Sequence, residues 1–330
     1  MVSPQTQDWI TDLLKPPPPL PVTNAEGLRT ACFGGFRCLL DDQPAAKARK
    51  KEWGRLIVNP HCFLSRDRSI RMPFLDTSSA TVWVSDPATG AILPFSLGPR
   101  FRHLVSSLNP GNPEPAGLGW QDRFVLKMAG VLVEPNYAER RRRNYERVVK
   151  RSGTLFRECG YVPLQGLIHP FHLAALRSYY RELIRSGNLE VGDPQCRGRY
   201  GAHNETIARF FHHQLTAVVS DIAGEPTMPS YVYFASYQPG ARLSKHTDRE
   251  QCEFSISLCV DFAPEPIGRT RWPLCLETRK GPVKIFQRLG EGLLYRGREL
   301  PHYRPRLPQN CTSTSLFFHY VRRDFTGPLN

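Results

Sequence analysis

The second half of the chain alternates between apolar and polar residues over several short stretches. In the clearest stretch, Glu253 to Phe262, five apolar side chains fall on one face and the serines, Cys259 and Asp261 fall on the other. Strict alternation of this kind predicts a strand with one buried face. Further strands, each bounded by Gly, Pro or charged residues, are predicted at Tyr231 to Tyr237, Arg271 to Glu277, Val283 to Gln287, Gly292 to Tyr295 and Ser313 to Val321.

Helical periodicity precedes these strands. Pro170 stands in the first turn of a predicted helix whose apolar residues recur at helical spacing until Gly187. Asn204 is placed to cap a second helix that ends before Gly224. Residues 156–167 are expected to form a first pair of strands. The order of elements predicts an α+β domain over residues 156–330.

The first half of the chain has a different organisation. Residues 1–52 include the run Pro16 to Pro19 and are expected to form a tail or a strap. The pattern over residues 53–139 predicts strands, then helices at 98–108 and 120–129, then a short strand. This order resembles the winged-helix modules that bind leader peptides in enzymes modifying ribosomal peptides. The alternative is a packing extension that supports the second domain.

Composition narrows the class of protein. The 330 residues are 40% hydrophobic and 22% charged, which is ordinary for a globular protein. No apolar run reaches the length of a membrane helix, so we expect a cytoplasmic protein without membrane contact. Nine cysteines lie scattered without C-x-x-C pairs. They are expected to be reduced thiols in a reducing compartment.

The net charge of +14 suggests an acidic partner, but it is spread evenly along the chain. Residues 1–150 carry 21 basic and 14 acidic side chains, and residues 151–330 carry 23 and 16, so each half is +7. The one dense cluster is Arg140 to Arg143, in a predicted helical linker spanning residues 140–155. A solvated helix is favoured there over a phosphate-binding patch, so a nucleic-acid partner is not expected, though it stays open.

The candidate chemistry lies at His246 and Asp248, an H-x-D pair that follows the turn Gln238-Pro239-Gly240. Residues i and i+2 of a strand share a face, so the imidazole and the carboxylate are expected side by side at a strand end, with the pair opening the next strand. Two histidines and one carboxylate with open coordination positions are the ligands of non-haem Fe(II) oxygenases. His302 is the third candidate ligand.

Residues 160–321 resemble the Fe(II)- and 2-oxoglutarate-dependent dioxygenases, nearest to their prolyl-4-hydroxylase-like branch. The resemblance rests on the order Y-x-P-G, H-x-D, short strands, G-E-G-L-L-Y-R-G, a third His and a closing aromatic strand. It implies a double-stranded β-helix, or jelly roll, with supporting helices, and a metal held by His246, Asp248 and His302. It also implies Fe(II), 2-oxoglutarate and O2 as cofactor and co-substrates, admits ascorbate as a reductant, and predicts hydroxylation of a peptide or small molecule.

The chain departs from the family where a basic residue should bind the distal carboxylate of 2-oxoglutarate. Cys311 and Thr312 occupy those positions. Arg304 is the first choice for that role, because a guanidinium binds a carboxylate through two hydrogen bonds. The resemblance also implies that Tyr237, just before the Pro-Gly turn, contacts the co-substrate. Ser313 and Ser315, expected on the inward face of the last strand, are further hydroxyl donors.

Two other functions stay open from the sequence. One is a nucleic-acid-binding protein in which the winged helix and the arginine run bind phosphates and the barrel is degenerate. The other is a metal-dependent jelly-roll enzyme that does not use 2-oxoglutarate, an alternative that follows from the missing basic residue on the last strand. The remaining histidines, including His212, His213 and His319, are expected to be structural.

Overall fold

The computed structural model describes residues 54–64, 80–97 and 101–330. The predicted Pro-rich tail therefore lies outside the described residues. The chain divides into two compact units. The first unit comprises the chain up to Tyr145 together with Ala174–Tyr179, and the second comprises Glu146–Leu173 together with Tyr180–Asn330.

The first unit contains short strands and two helices, as the pattern predicted. Its elements are β1 (Ile57–Val58), β2 (Cys62–Leu64), β3 (Ala80–Ser85), β4 (Ile92–Leu97), α1 (Arg102–Ser107), α2 (Trp120–Met128) and β5 (Leu132–Val133). β2, β3 and β4 form an antiparallel sheet, and β1 pairs with β5. Val82, Phe95 and Leu97 are buried in this unit. The winged-helix assignment stays a prediction.

The basic helix α3 (Tyr137–Cys159) is longer than the predicted linker at both ends. Phe156, which was predicted to begin a strand pair, is instead a fully buried helical residue. The helix ends at Gly160, whose φ of 77° is accessible to glycine and strained for other residues. Only β6 (Tyr161–Leu164) follows as a strand, so the prediction of a strand pair here was wrong.

Three helices precede the main strands: α4 (Pro170–Arg185), α5 (Thr206–Gln214) and α6 (Thr216–Ala223). α4 begins at the predicted proline. The second predicted helix is divided at Leu215 into α5 and α6, and Gly224 ends α6 in the left-handed conformation. The cap is Glu205 rather than Asn204, because the Glu205 carboxylate accepts hydrogen bonds from the backbone N–H groups of the first turn. α5 and α6 pack against the large sheet.

Two sheets build the second unit. The strands are β7 (Val191–Asp193), β8 (Cys196–His203), β9 (Thr227–Tyr237), β10 (Leu243–His246), β11 (Phe254–Ala263), β12 (Leu274–Thr278), β13 (Gly281–Ile285), β14 (Gly292–Tyr295), β15 (His302–Arg304) and β16 (Thr312–Arg322). The large sheet has the order β6-β14-β11-β16-β9-β8-β7, and the small sheet has the order β10-β15-β12-β13. All pairings are antiparallel.

The last eight strands have the topology of a double-stranded β-helix. The chain passes from the large sheet to the small sheet between β9 and β10, returns at β11, and crosses again at β12, β14, β15 and β16. The inner faces of the two sheets meet in one apolar cluster, in which Leu274 and Leu276 of the small sheet pack with Leu293 and Tyr295 of the large one. The mixed α and β architecture and the jelly-roll expectation are therefore confirmed for this unit.

β11 departs from the sequence prediction in its burial. Ser255 and Ser257, on the polar face of a strand expected to be half-buried, are fully buried. The alternation does not mark a face toward solvent, because the polar face lines the interior between the two sheets. A bulge between Cys259 and Asp261 shifts the register, and the Asp261 carboxylate accepts two hydrogen bonds from Arg181 of α4, at 2.5 and 2.8 Å.

Candidate metal centre

His246 and His302 lie opposite each other on paired antiparallel strands. His246 is the last residue of β10, His302 is the first residue of β15, and the register aligns the two. Their ring centroids are 4.4 Å apart. Directly opposed residues in an antiparallel pair carry their side chains on the same face, so strand pairing alone brings two imidazoles to one place.

Asp248 completes the group from the loop after β10. The expectation that the H-x-D pair opens a strand was wrong, because the strand ends at His246. The backbone N–H of Asp248 donates to the carbonyl oxygen of Gly297 at 2.9 Å. A Cβ at position 297 would overlap the Asp248 carboxylate and lie 2.6 Å from the carbonyl oxygen of Cys252. Glycine at 297 therefore leaves the space in which the carboxylate sits.

The ligand atoms converge. Asp248 Oδ1 lies 3.7 Å from His246 Nε2 and 3.4 Å from His302 Nε2, and one ligand atom from each residue lies within 4.8 Å of the others. His302 is buried, while His246 and Asp248 are partly exposed. This set fits an octahedral metal that needs three protein donors and three open positions.

Backbone carbonyls select the imidazole tautomer. His246 Nδ1 lies 2.8 Å from the carbonyl oxygen of Ser244, and His302 Nδ1 lies 2.9 Å from that of Leu300. A carbonyl oxygen only accepts, so each Nδ1 carries the proton and each Nε2 presents a lone pair to the common centre. Metal-binding histidines are oriented in this manner by a hydrogen bond on the other ring nitrogen.

The electrostatics keep the donors in their metal-binding protonation states. Burial and the neighbouring His302 lower the pKa of His246, which favours the neutral imidazole. Burial by itself would raise the pKa of Asp248, but the surrounding imidazoles of His302, His319 and His246 outweigh that effect, and the pKa of Asp248 is lowered. A neutral imidazole and an ionised carboxylate are the forms that ligate a metal.

A buried cation lies two residues along β15 from His302. The Arg304 side chain is almost completely buried, and its guanidinium lies 4.7 Å from the ring centroid of Trp272. Its Nη2 donates to Ser257 Oγ at 3.3 Å and to Gln287 Oε1 at 3.4 Å, both neutral groups. Within the described ranges Arg304 has no carboxylate partner, and its Nε has no hydrogen-bond acceptor.

Burial of the Arg304 guanidinium costs free energy unless an anion binds beside it. Burial lowers the pKa of Arg304, which means that the surroundings disfavour the charged form. A buried cation is normally paired, because an unpaired one is strongly destabilised. Ser315 on the inner face of β16 is also buried, and its hydroxyl lacks a partner among the described residues. A carboxylate is the kind of anion that would satisfy the Arg304 guanidinium.

Tyr237 and Ser313 lie on neighbouring strands of the large sheet. Tyr237 at the end of β9 is fully buried and pairs in register with Ser313 of β16. Arg199 Nη1 donates to the Tyr237 hydroxyl at 3.2 Å, so the hydroxyl retains its own proton for another acceptor. Asp193 fixes Arg199 with a 2.5 Å ion pair. Ser313 thus lies on the inward face, as the alternation of the last strand predicted, and Tyr237 lies opposite it on the same face.

Sequence reasoning missed the hairpin that carries Arg199. β7 and β8 extend the large sheet beyond β9 through residues 188–203, for which no strand was predicted. The turn at Gly192 to Pro194 was the available signal, but the flanking strands mix charged residues and glycine and have no apolar periodicity. The contribution of Trp272 and Gln287 to the surroundings of Arg304 was also missed, because it depends on contacts between distant strands.

Three of the four clustered arginines have acidic partners. Arg140 contacts Glu134 at 2.6 Å, Arg141 contacts Asp86 at 2.6 Å, and Arg143 contacts Glu139 at 3.3 Å. Guanidinium groups that are already paired have less to gain from phosphates. The solvated-helix interpretation of this cluster stays a prediction.

Two further histidines, His212 and His319, are buried in the second unit. His212 is buried in α5, where its Nε2 lies 2.7 Å from the carbonyl oxygen of His319, a contact suited to a structural role. His319 is buried on β16 as expected for core packing, yet its Nδ1 contacts Ser255 and it lies beside Asp248.

No helix in the described ranges has both the length and the apolar character needed to cross a membrane.

Comparison with known proteins gives structural similarity only. Neither a family model nor a curated protein matches the sequence. The epimerase SnoN, solved with Fe3+ and alpha ketoglutarate, has a TM-score of 0.45, is 13% identical, and is matched over 53% of this chain and 84% of its own. A Pseudomonas putida prolyl-4-hydroxylase has a TM-score of 0.42 and 18% identity, with 53% and 99% covered. HygX from Streptomyces hygroscopicus, solved with nickel and 2-oxoglutarate, has a TM-score of 0.42 and 14% identity, with 54% and 88% covered.

Proposed function

We propose that this protein is an Fe(II)- and 2-oxoglutarate-dependent oxygenase. One observation carries the proposal: two imidazole Nε2 atoms and one carboxylate oxygen converge beside a buried arginine that has no acidic partner among the described residues. The first group fits a metal with open positions, and the second fits the carboxylate of a co-substrate. β15 connects the two groups, because it carries both His302 and Arg304, separated by one residue.

His246, Asp248 and His302 would hold the iron. The buried Arg304 guanidinium would receive the distal carboxylate of 2-oxoglutarate, with Ser315 and the Tyr237 hydroxyl as further donors. Arg304 would therefore take the role that a basic residue of the last strand has in the family. When bound, Fe(II) with 2-oxoglutarate and O2 supplies an oxidant able to break an unactivated C–H bond.

The chain itself contributes orientation and exclusion of water. The apolar cluster of Leu274, Leu276, Leu293 and Tyr295 fills the interior between the sheets, and the Tyr295 ring lies 4.9 Å from the His302 ring. A dry, fixed site strengthens the charge interactions of Arg304 and Asp248, because the effective dielectric is lower than in water. The partly exposed His246 marks the side on which a substrate can approach.

The finer proposal is hydroxylation of a peptide or amino-acid side chain. It is supported by the similarity of the motif order to the prolyl-4-hydroxylase-like branch. A succinate-release assay over a panel of peptides and free amino acids, with the oxidised product identified by mass spectrometry, tests it. An oxidised product of another class, formed in stoichiometric amounts with succinate, would keep the oxygenase and replace the substrate.

The oxygenase itself is tested by titration without oxygen. Mn(II) is added to the purified full chain, and 2-oxoglutarate is then added to the loaded protein in a calorimeter. We expect one metal per chain and metal-dependent binding of 2-oxoglutarate. Metal binding without 2-oxoglutarate binding would favour a jelly-roll enzyme that does not use this co-substrate, and absence of metal binding would reject both.

A further inference from the structure

A second layer of hydrogen bonds reaches Asp248 from the large sheet. Ser255 Oγ on β11 lies 3.1 Å from Asp248 Oδ2 and 2.9 Å from His319 Nδ1 on β16. Ser255 and His319 are directly opposite in the β11–β16 register, so the contact between them is set by strand pairing. Ser255 and His319 are buried, and Asp248 is partly exposed.

The direction of each hydrogen bond follows from the chemistry of the groups. An ionised carboxylate only accepts, so the Ser255 hydroxyl donates its single proton to Asp248 Oδ2. The remaining role of Ser255 Oγ toward His319 is that of acceptor. His319 Nδ1 must therefore carry a proton and donate it, which gives a chain directed from His319 through Ser255 to Asp248.

The His319 ring is held from several sides. It lies 4.6 Å from the Tyr231 ring and is stacked with Phe317 at 6.5 Å, measured between centroids. The carbonyl oxygen of His319 accepts from His212 Nε2 at 2.7 Å. In this packing the Nδ1 side of the ring faces Ser255.

The consequence appears at the two oxygens of Asp248. Oδ2 is occupied by Ser255, whereas Oδ1 is the oxygen that faces both histidine Nε2 atoms. A carboxylate held by one oxygen is oriented to ligate through the other. Without that restraint it could turn and chelate through both oxygens, which would fill a coordination position that the co-substrate or O2 requires.

We propose that Ser255 and His319 are positioning residues that hold Asp248 for coordination through Oδ1 alone. The inference rests on the proposed metal centre. Removal of a group that orients a metal ligand typically costs about 10- to 100-fold in metal affinity. Ser255 and His319 would thus control both the affinity for the metal and the number of protein donor atoms bound to it.

The test uses the full chain loaded with Co(II), whose ligand-field absorption reports coordination number. Ser255→Ala removes one buried oxygen atom, and His319→Leu removes the donor. Each should weaken Co(II) binding by about 10- to 100-fold and alter the absorption bands. His319→Asn retains an N–H donor at the position of Nδ1 and should restore affinity and spectrum toward those of the unaltered protein.

Thr314→Val is the matched control, because it also removes a buried hydrogen bond from β16, between Thr314 Oγ1 and Ser236 Oγ, away from Asp248. Its Co(II) affinity should match that of the unaltered protein. Ser255→Ala with unchanged affinity and spectrum would overturn the inference, as would equal losses in His319→Asn and His319→Leu when both are folded. If the unaltered protein binds no Co(II), the proposed metal centre itself fails.

Discussion

The imidazole of His302 and the guanidinium of Arg304 belong to adjacent inward positions of one three-residue strand, both almost completely buried. His302 Nε2 lies 3.4 Å from Asp248 Oδ1, and the acceptors that Arg304 contacts among the described residues are neutral. Because they are two residues apart on the same strand, their spacing is fixed by backbone geometry. A ligand that touches both is held at a defined angle to the metal ligands.

The first prediction concerns the metal ligands. His246→Ala, Asp248→Ala and His302→Ala should each abolish iron retention and succinate formation, because each removes one of three protein donors. Metal analysis of the purified protein measures retention, and circular dichroism checks the fold. His203→Ala, at an exposed histidine on β8, is the control and should retain the metal. Full activity in any of the three variants would remove that residue from the ligand set.

The second prediction concerns the co-substrate. Arg304→Ala should raise the apparent KM for 2-oxoglutarate by about one to two orders of magnitude, which corresponds to roughly 1.5–3 kcal/mol for a charge-assisted hydrogen bond. Tyr237→Phe should act in the same direction but more weakly. The control is Arg306→Ala, at an exposed arginine two residues further on. An effect on KM in the control but not in Arg304→Ala would transfer the role to Arg306.

The third prediction concerns packing of the missed hairpin. A Cβ on Gly201 would overlap the Tyr233 hydroxyl, which donates to Asp193 at 2.9 Å. Gly201→Ala should therefore lower the free energy of unfolding by about 1–3 kcal/mol, the usual cost of overpacking. Urea unfolding measures it. In a Tyr233→Leu background the same substitution should cost less, and equal costs in both backgrounds would show that the tyrosine is not the obstacle.

The fourth prediction concerns pH. Burial lowers the pKa of His213 and of His319 to about 4, below the ordinary histidine value of 6.5. Between these values the unfolded chain binds protons that the folded chain does not, so stability falls as the pH is lowered from about 6.5 to 4. The urea midpoint of the metal-free protein should decrease across this range. His213→Gln should show a smaller decrease, and a pH-independent midpoint in the unaltered protein would contradict the prediction.

The sequence alone determined the local structure of the second unit to a large extent. Gly292–Tyr295 was predicted with its observed bounds, and the last strand was predicted to within one residue at each end. Proline at the start of α4 and glycine after α6 were read correctly. These signals are local, because periodicity and turn chemistry act between residues that are close in the chain.

Tertiary structure decided the polar interior. The sequence could place Ser255, Ser257 and Asp261 on one face of β11, but not state that the face is buried or that a bulge redirects Asp261 to Arg181. That outcome depends on whether a second sheet covers the strand, which is a property of the whole fold and not of the alternation.

The candidate site shows the same division. His246, Asp248 and His302 could be selected from spacing and motif order, because the ligands of such a site recur in one sequence pattern. The role of Ser255 and His319 beside Asp248 could not, since those residues lie on separate strands and meet only through the β11–β16 register. Likewise, the sequence could not show that Arg304 has no acidic partner among the described residues. That outcome depends on every side chain that packs around the guanidinium.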